Sequence, residues 1–385
     1  MSGTRLAAWL RRTRGLRRVS VVLSVALGLS IPGCCPTVET FWSPDGRALT
    51  YVGEEHVYLY HVATKQSTPL DLGPGSAGPM AWSPDGKCIV FYSESEDDGA
   101  ISLCWLNAAT KEVKTLAAGL WRRPAGVSEM DAREDPKLGA ALSGIFFGTP
   151  LSWSPDGSRV ACVGAGPRGG AIFVVEYPAG VAERVVETDQ IISSVAWSPD
   201  GKKIAYVTSE WEIVAGEPYR PDPLWLYCLA SASATKVCDL PKGGLAVGTG
   251  IQWSGDSGEM GVIVSDLSTG RGVGCLVAAK GAEARQEIRG ITEAAAWAPD
   301  LKAVVFLEPR ESDSAAVIYK CLKPPARKVL GQVGTEPAEF LPGEVMPVTT
   351  DSLPSCPQFS PDGRQVAMMA VSADGSPEIV VFTVP

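Results

Sequence analysis

A chain of 385 residues that is 45% hydrophobic and carries 41 glycines and 30 prolines has ample core for one large, turn-rich β protein. Its net charge of −9 is unevenly placed: the first 34 residues hold six arginines and no acid, leaving 28 basic against 43 acidic residues and a body near −15. Such a body repels polyanions, which excludes nucleic acid as a partner.

Taken from the start, Arg5, Arg11, Arg12, Arg14, Arg17 and Arg18 precede apolar residues 19–31, and the run exits through Pro32-Gly33-Cys34. The run is too short to span a bilayer comfortably. Its basic flank, apolar centre and small-residue exit read as a secretory signal peptide. Ile31-Pro32-Gly33-Cys34 resembles the bacterial lipobox, which implies that Cys34 is the lipidated first residue of the mature protein. Pro32 departs from the small residue usual there, so ordinary signal cleavage stays as the alternative. The expected organisation is a leader over residues 1–34 and a single domain over 36–385.

Trp-Ser-Pro-Asp-Gly begins at Trp42 and recurs intact at Trp82, Trp153 and Trp197, with altered copies at Trp253, Trp297 and Phe359. Ser at the first position, Pro at the second and a terminal Gly that accepts positive φ suit a tight type I turn joining two strands. Behind each turn stands an apolar strand, a loop, a second apolar strand, a short link and a more polar strand. In blade one these fall at residues 37–42, 47–52, 57–62 and 66–70, and in blade two at 80–82, 87–92, 101–106 and 112–116. Runs this short and apolar at recurring spacing predict an all-β fold: a seven-bladed β-propeller of four-stranded antiparallel blades. After residues 357–360, 364–370 and 378–384 the chain stops, so the last blade is expected to be three-stranded and closed by packing between faces.

Along the chain the chemistry-bearing candidates are few. His56 and His61 lie five apart on one strand of blade one, which points them to opposite sides and argues against joint metal binding. Glu94-Ser95-Glu96-Asp97-Asp98-Gly99 is read as a solvated acidic loop, with Ca²⁺ as the lesser alternative. Gly255-Asp256-Ser257-Gly258 imitates a protease nucleophile segment, yet Trp253-Ser254 aligns it with the repeat, so Ser257 takes the turn glycine's place. No catalytic residue, cofactor or metal centre is expected. Ten cysteines in an oxidising compartment invite disulfides, and Cys88 with Cys104 and Cys228 with Cys238 sit on adjacent strands. Cys162, Cys275 and Cys321 read as small core hydrophobes.

Propeller connectivity puts the Ser-Pro-Asp-Gly turns and the third-to-fourth strand links on one face and the remaining connections on the other. The long insertions, residues 120–149, 209–223 and 334–354, share that second face. Trp121, Arg122, Arg123, Trp211, Tyr219 and Arg220 are therefore the candidate binding residues, since aromatic and Arg side chains on elaborated loops are common material for binding patches. The alternative is that they tie the loops down.

The repeats resemble those of TolB-type propellers, whose signature Trp-Ser-Pro-Asp-Gly-Lys precedes a strand like Lys202-Lys203-Ile204-Ala205-Tyr206-Val207. The motif also resembles repeats of propellers attached to prolyl-peptidase-type hydrolases and of peptidoglycan-binding envelope proteins, so it specifies a scaffold. The resemblance implies a non-enzymatic, lipid-anchored propeller of the bacterial cell envelope with an envelope protein or peptidoglycan-associated partner. Two alternatives stand beside it: an enzyme, hydrolase or lyase, at the central channel, and a module that adds a strand at the open edge of blade seven.

Overall fold

The computed structural model describes residues 40–52, 56–73, 76–95, 99–122, 150–209, 222–241, 246–266, 271–280, 286–292, 294–309, 314–322, 325–334, 356–371 and 377–385. Four strands form blade one: β1 (Thr40–Trp42), β2 (Ala48–Val52), β3 (Val57–His61) and β4 (Gln66–Leu70). Blade two holds β5 (Ser76–Trp82), β6 (Cys88–Glu94), β7 (Ala100–Asn107) and β8 (Val113–Arg122). Blade three is β9 (Leu151–Trp153), β10 (Arg159–Gly166), β11 (Gly169–Glu176) and β12 (Ala182–Glu187). Blade four is β13 (Ile191–Trp197), β14 (Lys203–Ser209), β15 (Pro223–Cys228) and β16 (Ser233–Asp239). Blade five is β17 (Ala246–Trp253), β18 (Glu259–Asp266), β19 (Arg271–Ala278) and β20 (Gln286–Thr292). Blade six is β21 (Ala295–Trp297), β22 (Ala303–Pro309), β23 (Ser314–Leu322) and β24 (Pro325–Gly334). Blade seven has only β25 (Gln358–Phe359), β26 (Gln365–Val371) and β27 (Pro377–Thr383). Every pairing is antiparallel, and no helix occurs among the described residues. The seven-bladed ring and its three-stranded last blade are as the repeats predict. One contact joins the last two blades into a continuous sheet, Gly334 of β24 opposite Val371 of β26.

Burial follows strand position. The second and third strands are covered on both faces by neighbouring blades, so β6 reads Cys-Ile-Val-Phe-Tyr and β10 buries Val160, Ala161, Cys162 and Val163 completely. Outermost β4 and β16 face water along most of their length, which is why they carry Gln, Ser, Thr and Lys. The core is a ring of inter-blade seams. Its closing seam packs Leu49 and Tyr60 of blade one on Ala367 of blade seven, with Tyr51, Ile379 and Val381 around them.

The repeated turns are wired alike. In the first, Gly46 N donates to Ser43 O at 2.9 Å, Ser43 Oγ donates to Asp45 Oδ1 at 2.7 Å, and Ala48 N donates back to Ser43 Oγ at 3.0 Å. Gly46 holds φ near 67°, and Ser257 and Leu301 take the same left-handed position at 60° and 58° in the altered copies.

The motif tryptophan has a second task. Each of four indoles donates to the carbonyl just before the motif aromatic of the preceding blade: Trp82 to Phe41, Trp153 to Ala81, Trp253 to Ala196, and Trp42 across the ring to Gln358, at 3.1–3.2 Å. Blade seven carries Phe359 in this place and has no indole to donate. Trp42→Phe removes the bond that closes the ring and should cost about 1 kcal/mol in chemical denaturation; an unchanged midpoint would show that closure rests on apolar packing alone.

The predicted disulfides do not form. Cys88 lies opposite Asn107 and Cys104 opposite Phe91, so the two are three residues out of register. That odd offset puts Cys88 in the seam with blade three and Cys104 in the seam with blade one. Cys228 pairs with Ser233 whereas Cys238 pairs with Leu224, four residues along β15 and about 13 Å away at ~3.3 Å per residue. Cys162 and Cys275 are fully buried, and burial pushes the Cys162 thiol far up, as expected of packing groups; Cys321 is half-buried.

Candidate functional site

The two faces of the ring differ in how their connections are built. One carries the Ser-Pro-Asp-Gly turns and the short links between third and fourth strands. Among the described residues these are tight and bonded alike, as in Lys65 N to His61 O and Lys111 N to Asn107 O. The other face receives the second-to-third and fourth-to-first strand connections, including the three long insertions.

The root of the insertion between β14 and β15 is clamped by buried polar groups. Ser209 Oγ donates to Asp222 Oδ2 at 2.9 Å, with Ser209 and Asp222 exposed by only 1% and 2%. Asp222 O accepts from Leu240 N at 2.8 Å, tying the root to the next connection on the same face. One residue further in, Trp225 Nε1 donates to Thr208 Oγ1 at 3.1 Å while the Trp225 ring stacks on Tyr206. A buried carboxylate is tolerated only when bonded, and here its bonds hold both ends of the insertion together. Sequence reasoning passed over this clamp, although Ser209 and Asp222 flank the insertion directly and are polar residues closing two apolar strands.

The candidate binding residues divide. Trp211, Tyr219 and Arg220 lie in the clamped insertion, outside the described residues, as do Arg123 and Cys34. Arg122 is the last residue of β8 and ends that strand on the long-connection face. Trp121, on β8 opposite Ile101 of β7, is only 4% exposed and packs in the seam between blades two and three. The insertion thus starts after Arg122 and not at Leu120, because bulges beside Leu103 let β8 run on. Trp121 anchors the root of the loop, and its ring is not available at the rim.

Other chemistry candidates fall into structural places. His56 and His61 stand exposed at opposite ends of β3, one on each face of the ring. Ser257 is a turn residue, its N bonded to Ser254 O and its Oγ accepting from Asp200 N of the neighbouring turn at 3.0 Å. Of the acidic loop, Glu94 ends β6 and Gly99 N closes onto Ser95 O, while residues 96–98 lie outside the described residues. No cluster of three His, Cys, Asp or Glu with metal-holding geometry occurs among the described residues.

The turn carboxylates are structural acids. The Ser154 hydroxyl, then the Ser158 amide, hold Asp156 down to about 2, and the matching serines lower Asp85, Asp200, Asp256 and Asp362. In Asp45 the Arg47 amide has the larger effect. A carboxylate depressed in the folded chain stabilises it above the unfolded value, 3.8, and that contribution is lost as pH falls through the folded value. The thermal midpoint should therefore fall between about pH 4 and pH 2, and Asp156→Asn should flatten part of the fall; an unchanged slope would show that the turns are acid-indifferent.

No family model matches the chain. The Tol-Pal system protein TolB of Alcanivorax borkumensis is similar to it at 33% identity over 61 residues, 14% of this chain and 14% of that protein, so the match spans about a seventh of that relative. An oligogalacturonate lyase solved in complex with manganese aligns with a TM-score of 0.62 at 14% identity, over 92% of this chain and 90% of its own. The oligogalacturonate lyase of Vibrio parahaemolyticus aligns with the same score and identity over 91% of each chain. At this identity the likeness is one of fold. It also overturns the expectation that the chain is not an enzyme, because whole-length matches to lyases show that rings of this fold include catalysts, which leaves no ground for excluding one. The comparisons thus support a TolB-like propeller and leave its chemistry to be read from its own surface.

Proposed function

We propose that the chain is an exported β-propeller of the bacterial envelope, anchored by lipid at Cys34, that binds a protein or peptidoglycan-associated partner through the face bearing the long connections. The observation that carries this reading is the asymmetry of the ring. One face is a repeat of near-identical turns, whereas the other gathers three insertions, one of them rooted in the buried Ser209–Asp222 clamp. A surface of loops on a rigid scaffold is suited to recognition, and a clamped root limits the ordering cost on binding. The short similarity to TolB supports an envelope setting.

Alanine at Arg122, Trp211, Tyr219 and Arg220 together should reduce photo-cross-linked partner recovered from the native envelope at least tenfold, while circular dichroism and expression stay unchanged. Truncating central aromatic and Arg anchors costs about 2 kcal/mol or more each at a typical interface. Undiminished recovery would move the binding site to the turn face or the channel.

A further inference from the structure

We infer that the anchor turns the long-connection face toward the bilayer and presents the Ser-Pro-Asp-Gly face, together with the C-terminus, to the aqueous side. This rests on the reading of Cys34 as the lipidated residue; the orientation itself comes from topology and chain length. Strand β1 begins at Thr40 and runs into the turn at Ser43, so Thr40 lies on the face opposite the turns. It is fully buried, on the innermost strand of blade one. Residues 35–39 alone separate Cys34 from Thr40. Six Cα steps reach about 21 Å at ~3.5 Å per residue when fully extended.

The point of attachment decides the tilt. A tether fixed to an outermost strand would let the ring hang edge-on, but β1 is the strand nearest the ring axis, so a short link draws the face as a whole toward the membrane. The end of the chain confirms the polarity of the two faces: β27 runs parallel in sense to the third strands, and Val384 N donates to Arg364 O beside the last turn, leaving Pro385 on the turn face. That face is suited to water. Its turns alternate acid and base, with ion pairs Lys87–Asp85 at 3.2 Å and Lys302–Asp300 at 3.4 Å on largely exposed side chains. The partner of the long-connection face is then one that lies at the membrane surface, and a partner arriving from the aqueous side would meet the turns.

The test uses the full lipidated protein in phosphatidylethanolamine and phosphatidylglycerol vesicles doped with a lipid bearing a photoactivatable diazirine on its headgroup. Cross-linked peptides are mapped by mass spectrometry. Adducts should fall on the long-connection face, at His56, Asp71 to Gly73, Pro167 to Arg168 and Thr188 to Gln190, at least tenfold above those at Asp45, Asp85, Asp200, Asp362 and the C-terminal peptide. A 20-residue Gly/Ser insert between Cys35 and Pro36 frees the ring, and the bias should drop to near parity. Equal adducts on both faces in the unmodified protein, or adducts concentrated on the turns, would overturn the orientation. A bias that survives the insert would assign the orientation to the loops and contradict the tether argument. An intact mass without lipid on Cys34 would refute the anchor itself, a failure distinct from a lipidated protein facing the other way.

Discussion

Gly180→Ala lowers the stability of the folded chain by about 3 kcal/mol, among the largest effects expected of any single methyl group here. Gly180 lies in the link between β11 and β12 with φ near 74°, and an added Cβ would run into Leu116 O of β8 in the preceding blade. Two penalties coincide. The left-handed backbone costs a non-glycine residue about 1–2 kcal/mol, and forcing a carbon into a backbone carbonyl adds about 1–3 kcal/mol unless the blades part. They cannot part freely, because Tyr177 in the same link packs edge-on against Trp105 of blade two and its hydroxyl lies 3.0 Å from Cys88 Sγ. Gly46→Ala is the control: its φ of 67° is similar, but nothing stands within 4 Å of the new Cβ, so about 1 kcal/mol is lost. Equal losses for the two variants in urea titration would show that the seam between blades two and three is not the rigid contact described here.

On the proposed anchoring at Cys34, Cys34→Ser is expected to abolish lipid modification and to move nearly all of the protein from the membrane fraction to the soluble fraction. The step is all-or-none under the proposed anchoring, which makes the thiol the acceptor atom that a serine hydroxyl would not replace. The ring itself should be untouched: residue 34 precedes Thr40, where the described fold begins, so the melting curve of the soluble variant should overlay that of the released wild-type domain. Metabolic labelling with a radioactive fatty acid, read on the intact protein, checks the first claim. Unchanged labelling, or membrane association that persists without it, would remove Cys34 from the account.

How much of this was legible in the sequence depends on whether the signal was local. The turns were: Ser43, Asp45 and Gly46 satisfy one another within four residues, so their pattern predicts their bonds, and the count of copies gives the blades. The three strands of blade seven were legible too, since residues 357–360, 364–370 and 378–384 supply three strand-like runs behind the last turn motif. What failed was parity and reach. Assigning Cys88 to Cys104 needed register to the residue, and an error of one residue in a strand inverts every side chain. Trp121 looked like loop material because a bulge that lengthens β8 leaves no mark in composition. The indole bonds were invisible for another reason: Trp42 finds its acceptor 316 residues away, a contact only a closed ring can supply.

The placing of the long insertions was legible and the construction beneath them was not. Connectivity alone put the long insertions on one face. The clamp beneath the second of them, Ser209 on Asp222 with Leu240 N on the Asp222 carbonyl, joins two connections whose proximity no spacing reveals. The lesson for catalysis is sharper. A small histidine count suggested a binding protein, yet rings matching this one over nine-tenths of its length include lyases, so composition gives no ground for excluding chemistry.

The claim that most needs testing is that recognition belongs to the long-connection face. A photo-cross-linking amino acid placed singly at Trp211 and Tyr219 on that face, and at Arg47 and Lys202 on the turns, followed by irradiation of intact cells, reads it directly. The account predicts a discrete higher-mass adduct from Trp211 or Tyr219 and none from Arg47 or Lys202. The same adduct from the turn positions, with none from the insertion, would contradict it.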